Sequence, residues 1–195
     1  MGRGSSKAGG GGGGNTELIK VTHDLPELEG SPKQIEWAKS IREQASSAMS
    51  DYIYSPKGLD VDETTAEYMI ELKYESETAS RKAEIKKSLK AGIESGMFAE
   101  KFSDEAFERA WSLIQKRTET TNKILSERSA KYWIEHRNEG TGAYVHNSGW
   151  RMFKSMIDGK STMRINGVDI KISDIRENPD RKISEAVKAA RGKKA

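Results

Sequence analysis

The feature that most constrains this chain is a helix start at residues 31–34. Ser31 is a good N-cap residue, Pro32 suits the first helical position, and Gln34 completes a Ser-x-x-Gln capping box. Apolar side chains then recur every three or four residues, which is the spacing of one buried helical stripe: Ile35, Ala38, Ile41, Ala45, Ala48 and Tyr52. The Ser-Pro-Lys-Gly stretch at 55–58 breaks the pattern. The packed region therefore opens with a long amphipathic helix.

The same spacing predicts more helices downstream. Residues 61–95 read as one or two helices, with a joint at 76–80, where the apolar pattern shifts phase. The stretch 68–74 alternates well enough to leave a strand open there. Gly96 suits the position after a helix end, and Ser103 caps the next helix. That helix has an apolar face made of Phe107, Ala110, Trp111 and Ile114.

The last third of the chain mixes helix and strand signals. A helix is predicted to carry Ile124 to Arg137, and a short one begins at Ser148. Two β-prone arms then flank Asn166-Gly167, the dipeptide that best favours a two-residue hairpin turn. A basic helix from Ser184 to Arg191 is expected to follow. The predicted fold class is mainly α, with a small C-terminal β-hairpin.

Three segments follow from these elements. Residues 1–23 are expected to form a flexible Gly-rich tail, since the six consecutive glycines at 9–14 have no side chains to bury. The glycines do not form a phosphate loop, because no Gly-Lys-Ser/Thr ending accompanies them. Residues 24–158 form the predicted helical domain, and residues 159–195 add the hairpin and the basic helix.

Composition excludes several kinds of site. The chain has no cysteine, so disulfides, thiolate metal sites and a cysteine nucleophile are ruled out. No apolar run approaches the ~18 residues of a membrane span, and the opening residues lack the apolar core of a secretory signal. The cytoplasm is the expected location, with no membrane partner. His136 and His146 could meet across a loop, but the three histidines are too scattered for a local metal motif, so neither metal nor cofactor is expected.

No catalytic motif is present. A Gly-x-Ser-x-Gly elbow, a nucleotide-binding fingerprint and the kinase motifs are all missing. With 30 Asp and Glu residues, spacing alone cannot choose a general acid and a general base. We expect a binding protein rather than an enzyme, with a hydrolase or nuclease built from distant acids left open.

Charge is unevenly distributed, although the net charge is only +3. Residues 126–195 hold 15 basic and 9 acidic side chains, interleaved with aromatic rings. Lys and Arg follow phosphates and rings stack on bases, so this pattern suits nucleic acid. The candidate nucleic-acid-binding residues are Arg151, Lys154, Lys160, Arg164 and Lys171. Trp133, Trp150 and Phe153 stand at helical spacing and are assigned to the core instead.

Two stripes of like charge stand out in the middle of the chain. Four acids spaced by four residues would share a helix face, and we assign them to partner binding: Glu63, Glu67, Glu71 and Glu75. Lys82, Lys86 and Lys90 repeat the pattern with the opposite sign. An ordinary solvated helix face is the alternative for both stripes.

Residues 25–42, LPELEGSPKQIEWAKSIR, resemble a motif that recurs in proteins of bacteriophages and mobile elements, L-P-x-L-x-G-S-x-K-Q-I-x-W-A-x-x-I-R. A second segment similar to SAKYWIEHR, residues 129–137, commonly follows it. The resemblance covers about 24–54 and 126–138. Apolar contact between the two motif helices is expected from Trp37, Ile41, Trp133 and Ile134.

The resemblance implies an accessory protein of a phage or mobile element. Small proteins of that kind without enzyme motifs are often inhibitors of host defence, including anti-CRISPR proteins directed at Cas9. The expected partner is a host defence nucleoprotein (a Cas effector) or nucleic acid. The protein would inhibit by occlusion: the acidic stripe would occupy a basic channel of the partner, and the basic third would contact nucleic acid. A DNA- or RNA-binding replication or packaging factor and a virion-associated structural protein are the alternatives.

Overall fold

The computed structural model describes most of the chain between residues 17 and 175, and a few isolated positions beyond 183. The described ranges are 17–18, 20–57, 59–98, 101–136, 148–165 and 167–175. Within them the helices are α1 (Pro32–Ile53), α2 (Glu63–Thr78), α3 (Lys82–Glu94), α4 (Asp104–Leu125), α5 (Ala130–Glu135), α6 (Ser148–Ile157) and α7 (Ile172–Ile175). Strands β1 (Thr162–Ile165) and β2 (Val168–Lys171) form one antiparallel hairpin. The mainly α fold with a C-terminal hairpin is confirmed.

Helix α1 begins as its sequence predicts. The Gln34 backbone N–H donates to Ser31 Oγ at 3.4 Å, and the Ser31 backbone N–H donates to Gln34 Oε1 at 3.0 Å. These reciprocal bonds satisfy backbone donors that have no partner inside the helix. Pro32 occupies the first helical position. The capping box is confirmed.

Residues 61–95 form two helices, and the joint lies at 79–81. The strand alternative for 68–74 is wrong. Tyr68, Met69 and Leu72 are all completely buried, a spacing that one face of a helix provides and an alternating strand does not. Gly96 follows α3 with a φ of +74°, as expected of a residue that ends a helix in the left-handed region.

The helix expected over 124–137 does not exist as one element. Ile124 and Leu125 complete α4, and the chain turns before α5 begins. The break has a local cause: Ser129 accepts a hydrogen bond from the Tyr132 backbone N–H at 3.2 Å and so caps α5.

Two apolar cores lie along α4. The first core joins α1, α5, α6, the hairpin and the last turn of α4 around Met49, Trp133 and Phe153. The second core joins α2, α3 and the first half of α4 around Tyr68, Phe107 and Ile114. Between them, α4 buries polar side chains instead: Arg117, Thr118 and Thr121. This polar band matters for the site described below.

The hairpin belongs to the first core. Met163 and Ile170 face each other in the register and are both buried, whereas Arg164 and Asp169 face each other on the outer surface. The expected boundary at 158–159 therefore separates no independent unit, because the hairpin completes the core of the helices before it.

The N-terminal segment reaches both cores. Leu18 is buried in the second core, and the segment made of residues 17–18 and 20–29, here called the strap, continues to Leu28 in the first. Asn122 holds the strap from both sides: its Oδ1 accepts from the Thr22 backbone N–H at 2.9 Å, and its Nδ2 donates to the Lys20 carbonyl at 3.1 Å. Leu18 and Val21 of the expected tail therefore contact the helical cores, and residues 1–16 of it lie outside the described residues.

The predicted contact between the motif helices differs from the structure at Trp37. Half of its surface is exposed, whereas Trp133 is completely buried and Ile41 nearly so. The buried part of the contact rests on α1 residues such as Ala38 and Ile41, which belong to the same core as Trp133. Among the described helices, none combines the length and the apolar character needed to cross a membrane.

Candidate functional site

The polar band of α4 contains an almost completely buried arginine. Arg117 Nη1 donates to the carbonyl oxygens of Tyr52, Ile53 and Ser55 at 3.2, 2.9 and 2.7 Å. These carbonyls lie at the C-terminus of α1, where backbone acceptors have no helical partner and carry the negative end of the helix dipole. The guanidinium thus ties the end of α1 to the middle of α4.

A carboxylate completes this arrangement from a third element. Asp158, directly after α6, accepts a hydrogen bond from Arg117 Nη2 on Oδ1 at 2.8 Å, and the two side chains are only 5% and 2% exposed. Its Oδ2 accepts from the Tyr52 hydroxyl at 3.0 Å and lies 3.5 Å from Lys160 Nζ. A buried ion pair needs such additional hydrogen bonds to offset its desolvation.

The ring of Tyr52 is the contact between this buried pair and the surface. Arg117 Cζ lies 4.9 Å from the ring centroid, and Lys154 Nζ lies 4.5 Å from it. Burial, followed by the nearby Asp158 charge, raises the pKa of the Tyr52 hydroxyl. The phenol therefore stays neutral and donates to Asp158 while its ring attracts two cations.

Four lysines surround this centre, and we call them the basic surface: Lys57, Lys116, Lys154 and Lys160. Burial lowers the pKa of Lys154, and the charges of Lys57, Arg117 and Lys160 lower it further, against the opposing effect of Asp158. The Lys116 ammonium lies close to Gly159, 3.1 Å from where a Cβ would stand at that position. Asp158 is already shared by Arg117, Tyr52 and Lys160, so this surface carries a surplus of positive charge.

The structure brings together two of the five predicted nucleic-acid-binding residues. Lys154 and Lys160 belong to the basic surface, and the exposed Arg151 stands one turn before Lys154 on α6. Arg164 instead lies on the outer face of the hairpin, 3.8 Å from Asp169. Lys171 is exposed on that same hairpin face, across from Thr162.

The residues that position this surface were not among the predicted site residues. No sequence pattern singles out Lys57 or Lys116. Arg117, however, continues the apolar stripe of α4 three residues after Ile114. A cation at a buried position of an amphipathic helix requires an acceptor, and this is the signal that could have identified it. The identity of the acceptor, Asp158, depends on the tertiary fold.

The side chains of the acidic stripe on α2 are only partly exposed. Glu63 is exposed, Glu67 and Glu75 are half-buried, and Glu71 is buried at 9% exposure. The physical reason is the helical period: each residue advances ~100°, so each step of four drifts by ~40° around the helix. The stripe therefore leaves the outer face of α2 and reaches the buried side of the helix at Glu71.

The lysine stripe on α3 has a structural role. Each lysine lies over an aromatic ring of the neighbouring segment: Lys82 over Trp111, Lys86 over Phe107 and Lys90 over Phe102, at 5.6, 5.5 and 4.9 Å. Each also forms an ion pair with an acid of α4. Lys82 pairs with Glu108, while Lys86 and Lys90 lie 3.2 and 3.4 Å from Asp104. These lysines, here called the lysine row, join α3 to α4.

The predicted core aromatics are confirmed where they are described. Trp133 and Phe153 are buried in the first core, and the side chain of Trp150 lies outside the described residues. His136 is buried, its ring stacked against Phe153. The suggested pairing of His136 with His146 falls on a residue outside the described ranges. Among the residues that are described, no group of three or more His, Asp or Glu side chains is placed to hold a metal ion.

The chain matches no protein-family model, and neither curated proteins nor solved structures give a significant match. The likeness of residues 25–42 to a mobile-element motif therefore stays a prediction. Arguments about function have to start from the surfaces themselves.

Proposed function

We propose that this protein binds nucleic acid through the phosphate backbone, using the basic surface, without turning over a substrate. The observation that carries the proposal is the cluster of cations at Tyr52 and Asp158: Lys154 Nζ lies 4.5 Å from the Tyr52 ring centroid, Lys160 Nζ lies 3.5 Å from Asp158, and the neighbouring cations repel the Lys154 charge. A phosphate anion would relieve that repulsion. Four lysines at one place would also release condensed counterions from the nucleic acid, which gives affinity without sequence preference.

The buried centre supports the proposal by fixing the geometry. Arg117 and Asp158 hold the end of α1, the middle of α4 and the end of α6 together. Lys57 follows α1, Lys116 lies on α4, and Lys154 lies on α6 with Lys160 just after it. Lysine side chains lose considerable rotamer freedom when they are ordered, so a rigid base reduces the cost of presenting several of them at once. Base-specific contacts are not part of the proposal.

The test is a salt titration of affinity for a fluorescent DNA duplex, measured by anisotropy. Replacing Lys57, Lys154 and Lys160 with Gln removes up to three phosphate contacts, and each lost contact should reduce the slope of log K against log salt by about 1. The matched control replaces Lys82, Lys86 and Lys90 with Gln, which removes the same formal charge from the lysine row. The proposal fails if both triple variants lose the same affinity, or if the wild type shows no salt-dependent binding.

The more specific prediction is an accessory protein of a phage or mobile element that inhibits a host defence nucleoprotein. A chain with a basic surface and an acidic helix face has the two kinds of contact that such occlusion needs. Cleavage of target DNA by a Cas9-type effector, with and without the wild-type protein, tests this directly. Unchanged cleavage at a large excess of protein would leave the replication or packaging factor and the virion-associated protein as the remaining predictions.

A further inference from the structure

The outer face of α2 carries an exposed apolar pair that the proposed function does not use. Ile70 and Tyr74 stand one turn apart and are 47% and 64% exposed. The opposite face of the same helix is completely buried in the second core. An exposed isoleucine and tyrosine at i,i+4 form a continuous apolar strip rather than two isolated side chains.

Carboxylates flank this strip. At ~100° per residue, Glu63, Glu67 and Glu77 all lie within ~60° of Ile70 around the helix axis. Glu63 and Glu77 are exposed, and Glu67 is half-buried. Among the residues that the structure describes, no ion pair joins these three acids to a cation. We call the five residues the α2 ridge.

The basic residue of α2 itself, Lys73, is already engaged. Lys73 Nζ lies 3.4 Å from Asp51 of α1, so its charge is turned toward the neighbouring helix. The ridge therefore presents apolar surface inside a negative rim. Phosphates would be repelled from it, which separates this face from the basic surface.

We propose that the α2 ridge is a docking site for a basic amphipathic segment of a partner protein. Apolar side chains of the segment would cover Ile70 and Tyr74, and Lys or Arg residues beside them would pair with the three carboxylates. Charge complementarity selects this occupant: an acidic segment would be repelled, and a purely polar basic one would leave the strip exposed. The inference stands independently of nucleic-acid binding, because it involves different residues.

The test uses the full-length chain and a synthetic helical peptide of leucine and lysine, with Kd measured by calorimetry. Substituting Ile70→Ser and Tyr74→Ser together should weaken binding by roughly tenfold, because apolar and aromatic anchors dominate such contacts. The triple change Glu63→Gln, Glu67→Gln and Glu77→Gln should weaken it by a similar factor. A peptide in which serine replaces every leucine should bind the wild type as weakly as the variants bind the original.

The matched control neutralises three exposed acids on other helices, Glu36→Gln, Glu84→Gln and Glu119→Gln, and should leave Kd within about twofold of the wild type. Equal weakening in this control and in the ridge triple would overturn the proposal, since net charge alone would then explain binding. Sedimentation that shows a wild-type dimer dissociated by Tyr74→Ser would also overturn it, because a second copy would then cover the ridge. Thermal unfolding of every variant confirms that the second core is intact.

Discussion

The lysine row of α3 and the basic surface use the same residue type in opposite ways. In the lysine row, each ammonium has its own aromatic ring and an ion pair with an acid of α4. In the basic surface, Lys154 and Lys160 share the single Asp158 carboxylate with Arg117. The three lysines of the first set pair with two carboxylates, Asp104 and Glu108, whereas the Asp158 carboxylate beside the second set is already engaged by the buried Arg117. The regular spacing that drew attention to the lysine row therefore indicates helix packing rather than ligand binding.

The largest expected effect comes from the buried centre of the basic surface. Arg117→Met leaves Asp158 buried without its main partner, and we expect a loss of about 3–5 kcal/mol in the free energy of unfolding. Urea denaturation followed by circular dichroism measures it. Arg109→Met is the matched control, since Arg109 pairs with Asp62 at the same 2.8 Å but at the exposed surface. Similar losses in the two variants would contradict the assigned role of burial.

The lysine row should give a much smaller effect per pair. A double-mutant cycle on Lys82 and Glu108, both replaced by Ala, should yield a coupling energy of about 0.2–1 kcal/mol, because the pair is partly exposed. Repeating the cycle in high salt should reduce the coupling further. A coupling above that range would show that the row behaves like the buried centre.

The contribution of Lys154 to the free energy of unfolding should depend on pH. Its pKa lies below the ordinary 10.5, so at neutral pH the folded protein holds a charged amine that its site disfavours relative to water. Lys154→Met should therefore unfold with a higher free energy than the wild type at pH 7. The difference should shrink as pH rises through the lowered pKa and should vanish above 10.5, where the wild-type lysine is neutral in both states.

Urea denaturation of both proteins in steps between pH 7 and 11 measures this difference. Other lysines titrate over the same range but cancel between the two proteins. A difference that grows with pH would mean that the charged form of Lys154 is stabilised in the folded state, and that its neighbours do not repel it.

The smallest expected effect is at the edge of the basic surface. Arg151 is exposed on α6, so Arg151→Gln should change the free energy of unfolding by no more than about 0.5 kcal/mol. Its effect on DNA affinity should be smaller than that of Lys154→Gln, measured in the same salt series. A larger effect would move the centre of the nucleic-acid contact toward the start of α6.

Local chemistry made much of the fold predictable. Ser31, Gln34 and Ser103 act within three residues of themselves, and Gly167 ends a two-residue turn, so their patterns are visible in any short window. Less of the site could be predicted from the sequence. Tyr52 and Asp158 are 106 residues apart in the chain, and nothing near either residue indicates the other. Such pairings depend on how the helices pack, which periodicity does not determine.

The acidic stripe shows a different limit. A spacing of four residues predicted four glutamates on one side of α2. Because each step of four turns ~40° around the helix axis, Glu71 is buried and Glu75 is half-buried. The exposed residues on the same face of α2 as Glu63 and Glu67 are Ile70, Tyr74 and Glu77. Surface exposure depends on which face packs against α3 and α4, and this information lies outside the stripe itself.

The strap has a consequence for how the chain is made. Leu18, Thr22 and Glu29 are among the first described residues to leave a ribosome, yet Thr22 bonds to Asn122, and Glu29 pairs with Ser129 in an isolated bridge. Contacts separated by about 100 residues have to wait for synthesis to reach α5, and they add loop-closure cost to the folding barrier. During that interval Leu25 and Leu28 lack the part of the first core that α5, α6 and the hairpin supply. Completion of the first core therefore requires translation through Ile172, and pausing before that point would lengthen the exposure of Leu25 and Leu28.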